Sequence, residues 1–241
     1  MEFAFLKETF LLLLTGVPLT VQLTLISILG GAVIATGIAL LRLSPVTALN
    51  AVARGYVFLI RGTPLLIQIF LIYYGLGQFR PTLQALGVWG VFREPYWCAI
   101  FALTLNTAAY GSEIIRGGVQ SVPHQQIEAG RAFGMSTFLL ARRIVFPIAL
   151  RQALPAYGNE IILLLKATSL VSIITMMEVT GLAAKLMADT FRSVEIFFVA
   201  GSIYLALNSF IVAMFTLVEW WVSPHMRGLK QAKPQTLPTH A

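Results

Sequence analysis

SVPHQQIEAGRAFGMSTFLLARRIVFP, Ser121–Pro147, is the longest polar interval in an otherwise apolar chain, and membrane-length apolar segments lie on both sides of it. It carries Glu128, Arg131, Arg142 and Arg143, yet it keeps helical periodicity. Pro123 is preset for a first helical turn. His124–Phe133 then reads as a short helix, with Glu128 in its N-terminal half where the helix dipole tolerates an acid. Gly134 is placed to stop that helix in a left-handed cap. Ser136 can cap a second helix, Thr137–Phe146, which Pro147 ends or kinks. The expectation is two short helices set at an angle about a glycine. Ala129, Gly130 and Ala132 make the first helix narrow, and a narrow helix can lie deep in a partner's groove. A hairpin resting on the membrane surface, its arginines against lipid headgroups, fits the same residues.

Around this interval, 57% of the residues are hydrophobic and 11% charged, with mean hydropathy +0.80. A soluble domain has about 25% charged residues. So few charges cannot cover a water-facing surface, and lipid must be the solvent for most of the chain. The 241 residues read as one transmembrane domain, because no soluble insert separates the apolar segments. The single cysteine, Cys98, excludes an intrachain disulfide and any cysteine-based metal cluster. The net charge of +7 is read as membrane orientation and not as nucleic-acid binding. No cleavable signal peptide is expected, since Glu2 and Glu8 stand where a basic region should be.

Working outward, residues 1–14 have Phe3, Leu6, Phe10 and Leu14 at helical spacing with Glu2, Lys7 and Glu8 between them, which suggests an amphipathic interfacial helix. Five spans are expected. Span one covers Pro18–Leu41, with Gly30, Gly31 and Gly37 available for close helix contact. Span two covers Tyr56–Leu76, with Pro64 interrupting it and the membrane helix proper starting there. A polar loop, Gly77–Pro95, leads to span three, Tyr96–Ile115. Span four runs from Leu154 into the 170s. Gly181–Ser193 reads as a loop, and span five covers Val194–Trp221 with an aromatic belt at Trp220 and Trp221. The tail, Ser223–Ala241, has three prolines and reads as disordered.

Five spans put the termini on opposite sides. Grouping the polar insert with the 42–61 loop and the tail collects eleven Lys and Arg on one side and leaves five on the other. The positive-inside rule then places the insert and C-terminus in the cytoplasm and the N-terminus in the periplasm.

Polar groups within spans are costly and face a bundle interior or a cavity. Asn106, Tyr110 and Glu113 share one face of span three, at i, i+4 and i+7. Glu113 and Arg116 read as a helix-end ion pair. Counted from Leu154, Glu160 lies about 9 Å and Lys166 about 18 Å into span four. The stretch Lys166–Ser169 could be unwound, freeing backbone groups for an amino acid's charged ends. The expected substrate path is Asn106, Thr107, Tyr110, Asn159 and Glu160, with Lys166 and Thr168 nearby. An interhelical hydrogen-bond network is the structural alternative for the same residues.

Several of these stretches together resemble one family. Glu128-Ala129-Gly130, Gly134, Ile144 and Pro147 look like the "EAA" loop of ABC-importer permease subunits. Gly130 stands where that family usually has alanine. Arg61-Gly62-Thr63-Pro64-Leu65-Leu66, Glu113–Gly118, Leu154-Pro155 with Gly158-Asn159-Glu160, and Leu165–Leu170 resemble its polar amino-acid branch, which includes the histidine/lysine/arginine/ornithine, glutamine, arginine and opine permeases. Ala167 departs from the acid usual there. The likeness covers roughly residues 16–221.

The resemblance implies an all-α membrane protein of the type I importer kind. It implies transport of a polar or basic amino acid, or a derivative such as an opine, across a bacterial inner membrane. It makes 121–147 a coupling loop that docks into a cytosolic ATPase through Ala129, Gly130 and Phe133. The implied partners are two copies of a P-loop ATPase carrying ATP and Mg, a second permease chain (a related chain or a second copy) and a periplasmic solute-binding protein. No cofactor is expected in the chain itself. The sequence has no G-x-x-x-x-G-K-[ST], and Gly181…Lys185 lacks the second glycine and the hydroxyl. A catalytic role finds little support: the three histidines lie outside the spans, and the only aspartate, Asp189, falls in a loop. The competing transport reading is a self-sufficient carrier or channel, which would more often show paired repeats.

Overall fold

The computed structural model describes residues 2–222, and the expected tail at 223–241 lies outside them. Among the described residues every regular element is helical. Four helical segments are long and apolar enough to cross a membrane, and a bent pair makes a fifth.

Helix α1 (Glu2–Leu14) is followed, after Thr15 and Gly16, by α2 (Val17–Leu43), with Pro18 in its first turn. Thr9 and Leu13 of α1 are buried against α11 (Val179–Thr190) and α12 (Ser193–Val222). The outward side of α1 shows Phe3, Phe10, Leu11 and Leu12 beside Lys7 and Glu8, so its apolar surface is not confined to one stripe. α2 packs chiefly on α7 (Pro95–Gln120). Thr20, Thr24, Ser27, Gly31, Ala35 and Ala39 form a buried stripe of small residues on α2, along which Gly31 lies against Thr107 and Ala35 against Gly111 of α7. A Cβ added at Gly31 would run into Thr107 Cγ2, so only glycine allows this approach. Gly37 meets nothing within 4 Å and plays no part in the seam.

Span two differs from its expected form. It begins nine residues earlier, as α3 (Thr47–Gly62), and then bends by 104° into α4 (Leu65–Phe70), which a π-helical turn continues over Leu71–Gly75. The cause is local. Thr63 precedes a proline and is held extended, φ −119° and ψ 143°. The second arm restarts on the Pro64 carbonyl, which accepts from the Ile67 and Gln68 amides at 3.0 and 3.2 Å. The loop after it holds two short helices, α5 (Arg80–Ala85) and α6 (Trp89–Phe92).

The polar interval folds as a hairpin of α8 (His124–Ala132) and α9 (Thr137–Leu140). Gly134 is left-handed, φ +74°, and Ser136 caps α9 through the Leu139 amide at 3.3 Å. Pro147 does not end the second helix. A π-helical turn, Ala141–Val145, carries α9 into α10 (Phe146–Ala167), so one rod of 38 residues runs from Thr137 to Ile174. The wider turn accommodates the missing proline donor and the ring's clash with the preceding turn. Depths counted from Leu154 are superseded, because the helix starts earlier.

Lys166–Ser169 is not unwound either. The rod tightens there to a 3₁₀-helix, Thr168–Ile174. The hydroxyls of Thr168, Ser169 and Ser172 each donate to the carbonyl three residues back at 2.7 Å. Left-handed Thr175, φ +67°, stops it.

The expected loop at 181–193 is mostly helix α11 (Val179–Thr190), and α12 (Ser193–Val222) follows. Glu178 nucleates α11. Its side chain, 0% exposed, accepts from the Thr180 and Gly181 amides at 2.8 Å each and from the Tyr204 hydroxyl at 2.7 Å. Val179 and Ala183 then join Leu13, Ile196, Val199, Ala200 and Ile203 in a core of their own. Glu178→Ala removes the cap and takes the acceptor from three donors, the Thr180 and Gly181 amides and the Tyr204 hydroxyl. The expected loss is about 2–4 kcal/mol. Thermal melts of the purified chain check it, with Glu178→Gln retaining part of the stability. Equal melting of all three proteins would contradict this account of α11.

Candidate functional site

Asn106, Thr107, Tyr110 and Glu160 come together between α7 and α10. Glu160, 7% exposed, accepts from Thr107 Oγ1 at 2.9 Å. Asn106, Tyr110, Glu160, Leu163, Leu164 and Ala167 line a pocket of about 210 Å³. The arrangement follows from helix periodicity. Asn106 and Tyr110 are one turn apart on α7, and Leu163, Leu164 and Ala167 continue the Glu160 face of α10. Its chemistry is that of a small, mostly apolar chamber with an acid at one wall, suited to a ligand with a hydrogen-bond-donating or cationic end.

Three residues expected on this path lie elsewhere. Asn159 is exposed, about 100° around α10 from Glu160. Lys166 belongs to a second pocket, of about 330 Å³, with Ser169, Thr180, Phe197, Ala200 and Tyr204. Thr168 is buried and its hydroxyl is used within the helix.

Glu113 stands apart from the pocket as an ionic knot. Arg116 donates to it at 2.8 Å from one turn along α7, and Arg42 of α2 donates at 2.6 Å. Asn50 of α3 donates to the Arg42 carbonyl at 2.6 Å, which ties a third helix to the same end. The helix-end ion pair is therefore the structural role of Glu113, with Arg42 added.

Two residues absent from the expected site adjoin it. Arg61, at the elbow of span two, lies over the Tyr110 ring at 5.0 Å. Gln68 is 8% exposed and accepts from Asn106 Nδ2 at 3.0 Å. The signal for Gln68 was present: it is the one polar residue in Leu65–Phe70, where an amide in lipid needs partners.

On the hairpin, Gly130 faces inward. A Cβ there would meet Leu140 and Ile144 of the second arm at 2.6 and 2.9 Å. Its glycine thus serves hairpin closure, and it does not contribute to an outward face. Glu128, Ala129 and Phe133 are exposed, Phe133 at 85%, with Phe138 exposed on the other arm. Ile144 and Pro147 are half-buried inside. So large an apolar ring bared beside Glu128 and Arg131 is the profile of a contact surface.

Comparison with known proteins bears on the chain as a whole. The family described as binding-protein-dependent transport system inner membrane component matches residues 27–224. The nopaline transport system permease protein NocM of Agrobacterium fabrum is 55% identical over 241 residues, all of both chains. The octopine transport system permease protein OccM of Rhizobium radiobacter is 54% identical, covering 93% of this chain and 91% of that one. The histidine/lysine/arginine/ornithine permease HisM of Escherichia coli is 36% identical, covering 92% and 91%. Among solved structures, an amino acid ABC transporter with histidines superposes with a TM-score of 0.80 at 33% identity, covering 91% of this chain and 97% of that chain.

Proposed function

The chain belongs to the family of binding-protein-dependent transport system inner membrane components, and from that premise we propose that it forms the membrane pathway of an importer for a polar or basic amino acid or an opine. The names of its relatives, with nopaline, octopine and arginine-type substrates among them, support that substrate class. The observation that carries the proposal is mechanical. The hairpin arm that begins at Thr137 is continuous with the helix that bears Glu160. Twenty-three residues separate them, roughly 35 Å of helix. A force applied at the hairpin reaches the pocket through one continuous helical rod, with the π-helical turn Ala141–Val145 and Pro155 along its length.

In this reading the pocket of Asn106, Thr107, Tyr110 and Glu160 is a substrate station. The outward Ala129 and Phe133 seat in a P-loop ATPase, which supplies the energy that no motif in this chain can. Two ATPase copies, a second permease chain and a periplasmic binding protein complete the machine. In this reading the hairpin faces the cytoplasm and the N-terminus the periplasm, the orientation that the positive-inside rule favours. Loaded binding protein and ATP stabilise the outward-open state, and hydrolysis returns the inward-open one. The test is uptake into vesicles reconstituted from purified components. Transport is expected only with the ATPase and ATP present, and uptake by this chain alone would favour a self-sufficient carrier.

A further inference from the structure

Gln68 holds more than the elbow. Its Nε2 donates toward the Ile60 carbonyl at 2.8 Å, the Thr63 carbonyl at 3.1 Å and Thr63 Oγ1 at 2.9 Å. The Thr63 hydroxyl proton goes to the Leu59 carbonyl at 2.8 Å, so Thr63 Oγ1 meets Gln68 as an acceptor. All three neighbours of that amide end accept, and only an NH₂ group suits them. The orientation of Gln68 is thereby fixed by chemistry, with Oε1 toward Asn106. Asn106 must answer an acceptor with its own NH₂. Its remaining amide atom, Oδ1, takes no hydrogen bond from the described residues, and Asn106 lines the pocket with Glu160.

We propose that Gln68 is a positioning residue for substrate selection. By locking the Asn106 amide, it keeps an acceptor oxygen for the pocket beside the Glu160 carboxylate, so that the pocket favours a donor-rich cationic head group, ammonium or guanidinium, over a neutral isostere. The proposal rests on the reading of this pocket as a substrate station. A freed Asn106 could turn by 180° and present donors, which a cation rejects. The aim is thus set by the bent span, 38 residues away in sequence.

The test measures equilibrium binding of labelled L-arginine and its neutral isostere L-citrulline to the solubilised permease–ATPase complex, without the binding protein and its own selectivity. Unsubstituted protein is expected to prefer arginine. Gln68→Leu should reduce that preference by about tenfold or more, the range for loss of a charge-assisted hydrogen bond. Gln68→Leu combined with Asn106→Asp should restore it, because aspartate offers oxygens in either orientation and no longer opposes Gln68 Oε1. A purely structural role would weaken both probes alike, and that result overturns the proposal. So does a preference that survives in Gln68→Leu. Glu160→Gln separates the two levels. If it abolishes the preference while Gln68→Leu keeps it, the station stands and the Gln68 inference falls. If neither probe binds, or Glu160→Gln binds both as the unsubstituted protein does, the station itself fails and the inference with it.

Discussion

Gly134→Val is expected to leave the chain in the membrane at normal levels and to cut ATP-driven uptake by more than about tenfold. Gly134 has φ +74° and joins the two arms of the hairpin. Space is not the issue, since an added Cβ meets nothing within 4 Å. The backbone is. Left-handed geometry costs an ordinary residue about 1–2 kcal/mol, and a β-branched one more. Valine resolves that strain by reopening the turn, which swings Ala129 and Phe133 away from the angle fixed by the Gly130–Leu140–Ile144 contact. The spans, whose packing lies elsewhere, are unaffected. Gly134→Asn is the control, because asparagine tolerates the left-handed region and should retain most coupling. The checks are co-purification of the ATPase and uptake in vesicles. Normal values for both in the valine variant would count against the hairpin as the coupling element.

Glu160→Gln is expected to lower uptake of a cationic amino acid, and the ATPase activity that substrate stimulates, by about 10–100-fold, the range for removing one charge-assisted contact from a buried site. The change is close to isosteric. Glutamine can still accept from Thr107, at the 2.9 Å the carboxylate uses now, so folding and membrane level should hold. What disappears is the charge. An amide lining the same pocket neutralises no cation, and a cation entering it loses water without equivalent compensation. Uptake and stimulated hydrolysis equal to those of the unsubstituted protein would remove Glu160 from the substrate path and leave the Thr107 contact as interhelical structure.

The features the sequence determined are those with local causes. Hydropathy located spans one and five to within two residues at both ends, because a backbone in lipid has no alternative to helix over such lengths, but it missed the start of span four, whose rod begins at Thr137 and not Leu154. Pro123, Gly134 and Ser136 specified the hairpin locally, each through its own turn: a preset φ, a left-handed cap and a side-chain cap. Asn106 and Tyr110 could be placed on one face by arithmetic alone.

Tertiary structure decided whatever joins distant segments. Whether Pro147 breaks a helix or is absorbed depended on a π-helical turn that no residue type announces. The helix at 179–190 starts on a local cap, Glu178 to the Thr180 and Gly181 amides, and the burial of that carboxylate is completed by Tyr204, 26 residues on. Gly130 reads equally well as an outward narrow face or an inward close contact until Leu140 and Ile144 are in place. Glu160 and Lys166 are neighbours on one helix, yet only Glu160 reaches the Asn106 pocket, because its partner Thr107 lies 53 residues away on α7. Hydrophobic pattern and local capping set which segments are helices. Which polar group meets which is settled only when the helices pack and each buried donor must find an acceptor.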